Sequence, residues 1–159
     1  MIRADYGNGL AALDCPDNAG TGYQHGVVSS PNTAFNGYAN PASFSRAIEF
    51  TLNSLYITRA LNDGTTHFEG FNGVNSLFVL DVFATTSVPT LVNFGWAGIT
   101  RVLMTTLGGD RSHAAIDDIT VNAAVSAVPL PAAALLLGSG LLGMLGIGRK
   151  KRAPAGLAA

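Results

Sequence analysis

Cysteine is nearly absent: Cys15 stands alone in 159 residues. That excludes an intrachain disulfide framework and any multi-cysteine zinc cluster. Lysine does not occur before position 150. Residues 1–127 carry five basic side chains, Arg3, Arg46, Arg59, Arg101 and Arg111, against all ten acidic ones, a formal charge of −5. Nothing there forms a basic patch to neutralise phosphates, so no nucleic-acid partner is expected. Glutamate is limited to Glu49 and Glu69, each beside apolar residues in a strand-like run. A solvent-facing position on an alternating strand accounts for both, and a catalytic carboxylate pair is kept only as a weaker reading. No G-x-S-x-G elbow occurs, and His25, His67 and His113 fall in different predicted elements, which leaves no nucleophile-and-base arrangement. The glycines of Gly7-Asn8-Gly9 have neither the preceding strand nor the following helix of a nucleotide-binding loop. The chain reads as non-enzymatic.

Two larger features are also missing. No internal repeat at fixed period is present, which argues against a propeller or solenoid. The first 23 residues contain Arg3 but only the short apolar run 10–13, less than the 7–15 apolar residues, roughly, of an export signal. Given the tail described below, the expected explanation is a truncated or misassigned start.

What is present is a series of short strand-like pieces between turn residues. They are 27–28, 34–38, 48–52, 55–61, 66–71, 77–83, 90–94, 99–105 and 115–121. Pro31-Asn32, Asn40-Pro41, Asn62-Asp63-Gly64, Asn72-Gly73 and Gly108-Gly109-Asp110 are among the separators. Glycine reaches positive φ freely and Asn and Asp tolerate it, so such clusters mark reversals. Asn62-Asp63-Gly64 predicts a hairpin. No segment before position 122 has a sustained helical stripe, and the spacing of about ten residues predicts an all-β, antiparallel sandwich. Residues 1–22 read as irregular, 23–121 as the sandwich domain, and 122–127 as a linker.

Two residues stand out in this body. In Ile116-Asp117-Asp118-Ile119-Thr120-Val121, alternation puts Asp117 on the face of Ile119 and Val121, toward the core unless a bulge intervenes. A buried carboxylate there needs an arginine, backbone N–H groups or a cation, and calcium is one candidate. Trp96 lies in Phe94-Gly95-Trp96-Ala97-Gly98, read as a turn. It either covers one end of the core or, with Tyr6, Tyr23, Tyr38 and Tyr56, presents a ring for stacking on sugars.

The C-terminal quarter has a different character. Leu130 to Gly148 is an uncharged run of nineteen residues followed by Arg149, Lys150, Lys151 and Arg152. As a helix it would span roughly 28 Å, close to the ~30 Å of a bilayer core. The cations would stop transfer at the inner face. A single transmembrane helix is therefore expected, with residues 153–159 as a cytoplasmic tail.

A proline motif, an apolar run and a basic cluster in this order resemble the PEP-CTERM sorting signal. The match covers residues 128–152, with Val128, Pro129, Leu130, Pro131 and Ala132 as its motif and Leu130 in place of the usual glutamate. The resemblance implies an exosortase partner, a transient membrane anchor, and a surface or extracellular-matrix protein associated with exopolysaccharide or biofilm. In the body, Gly26-Val27-Val28-Ser29, Ala34-Phe35-Asn36-Gly37, Phe50-Thr51-Leu52-Asn53-Ser54, Asn62-Asp63-Gly64 and residues 116–121 resemble jelly-roll domains similar to carbohydrate-binding modules. That resemblance implies a structural calcium at Asp117. The alternatives to a matrix role are a polysaccharide-binding module using Trp96 and, second, a small polysaccharide hydrolase.

Overall fold

The computed structural model describes residues 3–4, 10–14, 18–109 and 111–123. The chain divides into two units, 1–123 and 124–159, and every described residue belongs to the first. Its elements are β1 (Arg3–Ala4), β2 (Leu10–Asp14), α1 (Gly22–His25), β3 (Asn32–Asn36), a 3₁₀ turn (Gly37–Ala39), β4 (Ala42–Arg59), β5 (Gly64–Asn72), β6 (Asn75–Ala84), β7 (Thr90–Thr106) and β8 (Ala114–Val121).

All pairings are antiparallel, in the order β2-β3-β8-β4-β7-β5-β6 with β1 beside β4. Two long strands turn this one ladder into a jelly-roll-like sandwich. Residues 42–45 of β4 pair with 101–104 of β7 and with β1, whereas its later part pairs with 90–99 of β7 and with β8. β5 joins only the 101–106 part of β7. The register slips between Ser45 and Phe50, and twice more before Ser54. Residues 46–49 of β4 have no register partner on β7 there, and the pairing changes across them. Core residues from both layers then meet in one cluster: Phe44, Phe68, Val82 and Met104 from one, Leu55, Ile57, Val92 and Ile116 from the other. Burying each such side chain contributes about 1.5–3 kcal/mol.

Several expectations change at this level. The pieces 48–52 and 55–61 belong to one strand extending to Arg59, and 90–94 and 99–105 to another. Gly95 and Gly98, at φ 63° and 71°, take up bulges inside β7, so they kink a ladder where the sequence suggested a turn. Asn62-Asp63-Gly64 is not a hairpin, because β7 lies between β4 and β5. The tight reversal falls instead after β5, where Asn72 pairs with Asn75. Residues 1–22 were expected to be irregular, yet β2 adds a strand to β3; pairing outweighs the weak strand preference of Leu-Ala-Ala-Leu-Asp. Residues 27–28 are in a loop.

The expected fold also ended in a membrane helix, and that part is corrected. Among the described residues no helix is long and apolar enough to cross a membrane; α1 has four residues. The run 130–148, the motif residues Val128, Pro129, Leu130, Pro131 and Ala132, and the cations Arg149, Lys150, Lys151 and Arg152 lie outside the described residues. The described fold is thus a β-sandwich alone, and the transmembrane helix and the membrane-anchored stage expected with it are withdrawn.

Candidate functional site

The outer face of the layer containing β5, β6 and β7 carries a groove of about 330 Å³, lined by Thr65, His67, Asp81, Thr105 and Leu107. Strand alternation builds it. In β5, Thr66, Phe68 and Gly70 turn inward, so Thr65, His67 and Glu69 turn outward. In β6, Val82 and Ala84 are buried while Leu77, Val79, Asp81 and Phe83 face solvent. The register then sets Asp81, His67 and Thr105 in one row across three strands, with Phe83 opposite Thr65 in the next.

His67 Nδ1 and Asp81 Oδ1 are 2.6 Å apart. A carboxylate only accepts, so the ring donates from Nδ1. The pair is solvent-accessible, with side chains 42% and 68% exposed, so its net contribution to stability is small. Its effect is orientational: a fixed imidazole and carboxylate beside the hydroxyls of Thr65 and Thr105. Apolar side chains flank these polar groups. Phe83 is 63% exposed and Leu107 78% exposed. The face thus offers hydrogen-bond donors and acceptors in one plane next to an aromatic ring, complementary to a ligand with hydroxyls on its rim and C–H groups on its faces.

The residues singled out from the sequence lie elsewhere. Trp96 is buried, its ring stacked on Phe78 at 5.5 Å and 10° and edge-on to Phe94 at 4.8 Å. The ring is enclosed by protein, so of the two roles the sequence left open for Trp96, covering the core and carbohydrate binding, the structure shows the first. Asp117 is also buried, but the parity argument for it fails because the bulge does intervene. Asp118 sits at φ 52° and the β4–β8 register shifts there. Ile116, Ile119 and Val121 all pack on the main core, and Asp117 lies opposite Tyr56 instead.

At that position the Asp117 carboxylate is well supplied with donors. Oδ2 accepts from the amides of Val28 and Ser29, both at 2.7 Å. Oδ1 accepts from Ser29 Oγ at 2.7 Å and the Asp118 amide at 2.8 Å. This is the hydrogen-bonded arrangement, and it pins residues 28–29 onto β8. Among the described residues no group of three or more His, Cys, Asp or Glu is placed to hold a metal.

The other polar candidates do not converge. His25 Nδ1 donates to Thr86 O, at 2.8 Å, while His113 meets the hydroxyl of Tyr23. Tyr23, Phe35 and His113 form a ring cluster at one end of β8, and burial pushes the Tyr23 hydroxyl up to about 12. Arg59 is fully buried and lowered by that burial; it donates to Asn62 O, Thr65 O and Thr66 Oγ1 and so holds the turn before β5. Glu49 accepts from Asn72 Nδ2 at 2.8 Å, whereas Glu69 lies between Val79 and Leu103 on the outer sheet face; neither lines the groove. Tyr6 lies outside the described residues.

Of the groove residues the sequence singles out only His67, for a simple reason. Residues 77–83 read Leu-Phe-Val-Leu-Asp-Val-Phe, apolar at both parities, so nothing local says that Phe83 is wet and Phe78 covered. The single interruption, Asp81, was the one available sign of the outer face.

No protein-family profile matches the chain, and no curated protein matches it. Among solved structures, the chain is similar to TmCBM61 in complex with beta-1,4-galactotriose, with a TM-score of 0.42 and 10% identity over 76% of this chain and 86% of that one.

Proposed function

We propose that the sandwich is a non-catalytic carbohydrate-binding module and that the groove on β5, β6 and β7 is its binding site. The observation that supports this reading best is the placement of Phe83, an exposed ring directly across from Thr65 and two residues from Asp81 on the same face. A phenylalanine in water at that position has little structural value, whereas beside fixed polar groups it offers a stacking surface. Asp81 is the one carboxylate lining the groove, and its Oδ1 is engaged by His67, so a two-carboxylate hydrolytic arrangement finds no support there.

Affinity electrophoresis of the full chain through gels containing neutral and acidic polysaccharides tests this. At least one polysaccharide is expected to retard the parent chain. Phe83→Ala should weaken that binding about tenfold, equivalent to about 1.4 kcal/mol, with the melting temperature unchanged. Retardation by none of the polysaccharides, or equal retardation of Phe83→Ala, rejects the proposal.

A further inference from the structure

β6 is the last strand of its layer. Its outer edge has no strand beside it, and among the described residues its backbone makes no hydrogen bond outside the β5 ladder. A row of unpaired N–H and C=O groups is a template for a further strand, and proteins ordinarily blunt such edges with lysine, proline or bulges. Residues 75–84, Asn-Ser-Leu-Phe-Val-Leu-Asp-Val-Phe-Ala, contain no Lys, Arg, Pro or Gly. The one register shift against β5 falls near the start of the strand, and from Phe78 to Ala84 the ladder is unbroken.

The core is open at the same edge. One strand further in, Phe68 and Gly70 of β5 are buried, whereas Phe78 and Leu80 pack on the core but are only partly covered. On the outer face Val79 is 63% exposed. A strand that closed this edge would have to be apolar on both faces along residues 78–82. It would also have to keep any carboxylate of its own away from Asp81, the single charge of β6. β6 itself meets both conditions.

Register then narrows the choice. In an antiparallel pair of identical strands, inward side chains stay with inward ones only if the two-fold axis passes through a residue position. An axis at Asp81 sets two carboxylates directly against each other, and like charges in that position are destabilising. An axis at Val79 leaves only residues 78–80 of the unbroken ladder overlapping. An axis at Leu80 keeps 78–82 of both copies together. It sets Leu80 beside the partner's Leu80, Phe78 beside the partner's Val82, and Val79 beside the partner's Asp81.

We infer that the β6 edge is a self-association surface, occupied by β6 of a second copy of this chain in the antiparallel register centred on Leu80. The inner pairs extend the core across the seam and cover Phe78 and Leu80. The overlap is far shorter than the roughly 20–30 residues a side of a standard interface, so the dimer is a weak one, dissociating in the micromolar range. Thr65, His67 and Thr105 lie on β5 and β7, away from the seam, so this association and the carbohydrate-binding reading stand or fall separately.

The test is sedimentation velocity of the full chain from about 1 to about 300 μM, the range in which an interface below standard size dissociates. The parent chain is expected to pass from monomer to dimer. Val79→Asp puts a carboxylate against the partner's Asp81 at two symmetric places and should weaken dimerisation about tenfold or more. Val79→Lys makes the same contacts attractive and should dimerise at least as well as the parent. Val79 also faces Glu69 within the chain, so adding Asp81→Lys to Val79→Asp separates folding from association. That double variant keeps the new carboxylate beside Glu69 but turns the contact between copies attractive, and dimerisation should return. A parent chain that stays monomeric throughout leaves the edge to another occupant and overturns the proposal. Association unchanged by Val79→Asp, or weakened equally by Val79→Asp and Val79→Lys, overturns it as well.

Discussion

Gly70→Ala isolates the packing that removes Trp96 from the surface. A Cβ at position 70 would lie 2.8 Å from Trp96 Cε3, 3.2 Å from Cζ3 and 3.4 Å from Ile99 Cγ2. Carbon atoms pack comfortably at about 3.5–4.0 Å, so the indole must retreat by about 0.7 Å. Its retreat is obstructed by Phe78, stacked on it at 5.5 Å, and by Phe94, edge-on at 4.8 Å. Overpacking of this kind costs about 1–3 kcal/mol. Alanine recovers about 0.5–1 kcal/mol by restricting the unfolded chain. The net loss should be about 1–2 kcal/mol, which for a unit of this size lowers the melting temperature by about 3–10 °C. Thermal melts by circular dichroism measure it, and a cycle with Trp96→Leu assigns it: in the smaller background the added methyl should no longer destabilise. A Gly70→Ala chain that melts with the parent, or a penalty that survives Trp96→Leu, refutes the packing argument.

Other residues lead to equally direct measurements. Asp117→Ala leaves the donors of Val28 and Ser29 without their charged acceptor and should cost about 2–3 kcal/mol, given about 1.5–3 kcal/mol for a hydrogen bond to a charged group and partial rehydration of the exposed loop. A chelator should leave the parent's melting temperature unchanged, because the donors to Asp117 are N–H and O–H groups; a chelator-induced fall would transfer this role to calcium. Burial raises the Tyr23 hydroxyl from 10.0 to about 12, so the native state keeps a proton that the unfolded chain releases. Stability from this group is intact below pH 10 and declines as pH climbs through that interval. Tyr23→Phe should flatten that part of a urea-denaturation series against pH, and an unaltered slope would exclude Tyr23 as the cause.

Much of the strand content was legible locally. Residues 66–71, 77–83 and 115–121 were recognised within a few residues of β5, β6 and β8, because β-branched and aromatic residues bounded by Gly, Asn and Asp leave few alternatives. The lone cysteine likewise excluded an intrachain disulfide from composition alone. The groove was not legible. His67 and Asp81 are fourteen positions apart, and only the β5–β6 register makes them neighbours.

The sequence by itself determined an antiparallel all-β body, since strand propensity and turn chemistry act over a few residues. Tertiary structure decided which face of each strand is wet, and so where a ligand can sit. Alternation has a period of two, and one extra residue reverses every side chain beyond it. The bulge at Asp118 removed Asp117 from the face of Ile119, and the bulges at Gly95 and Gly98 carried Trp96 into the core. Those slips are set by long-range closure of the two layers, which no short window of the chain contains.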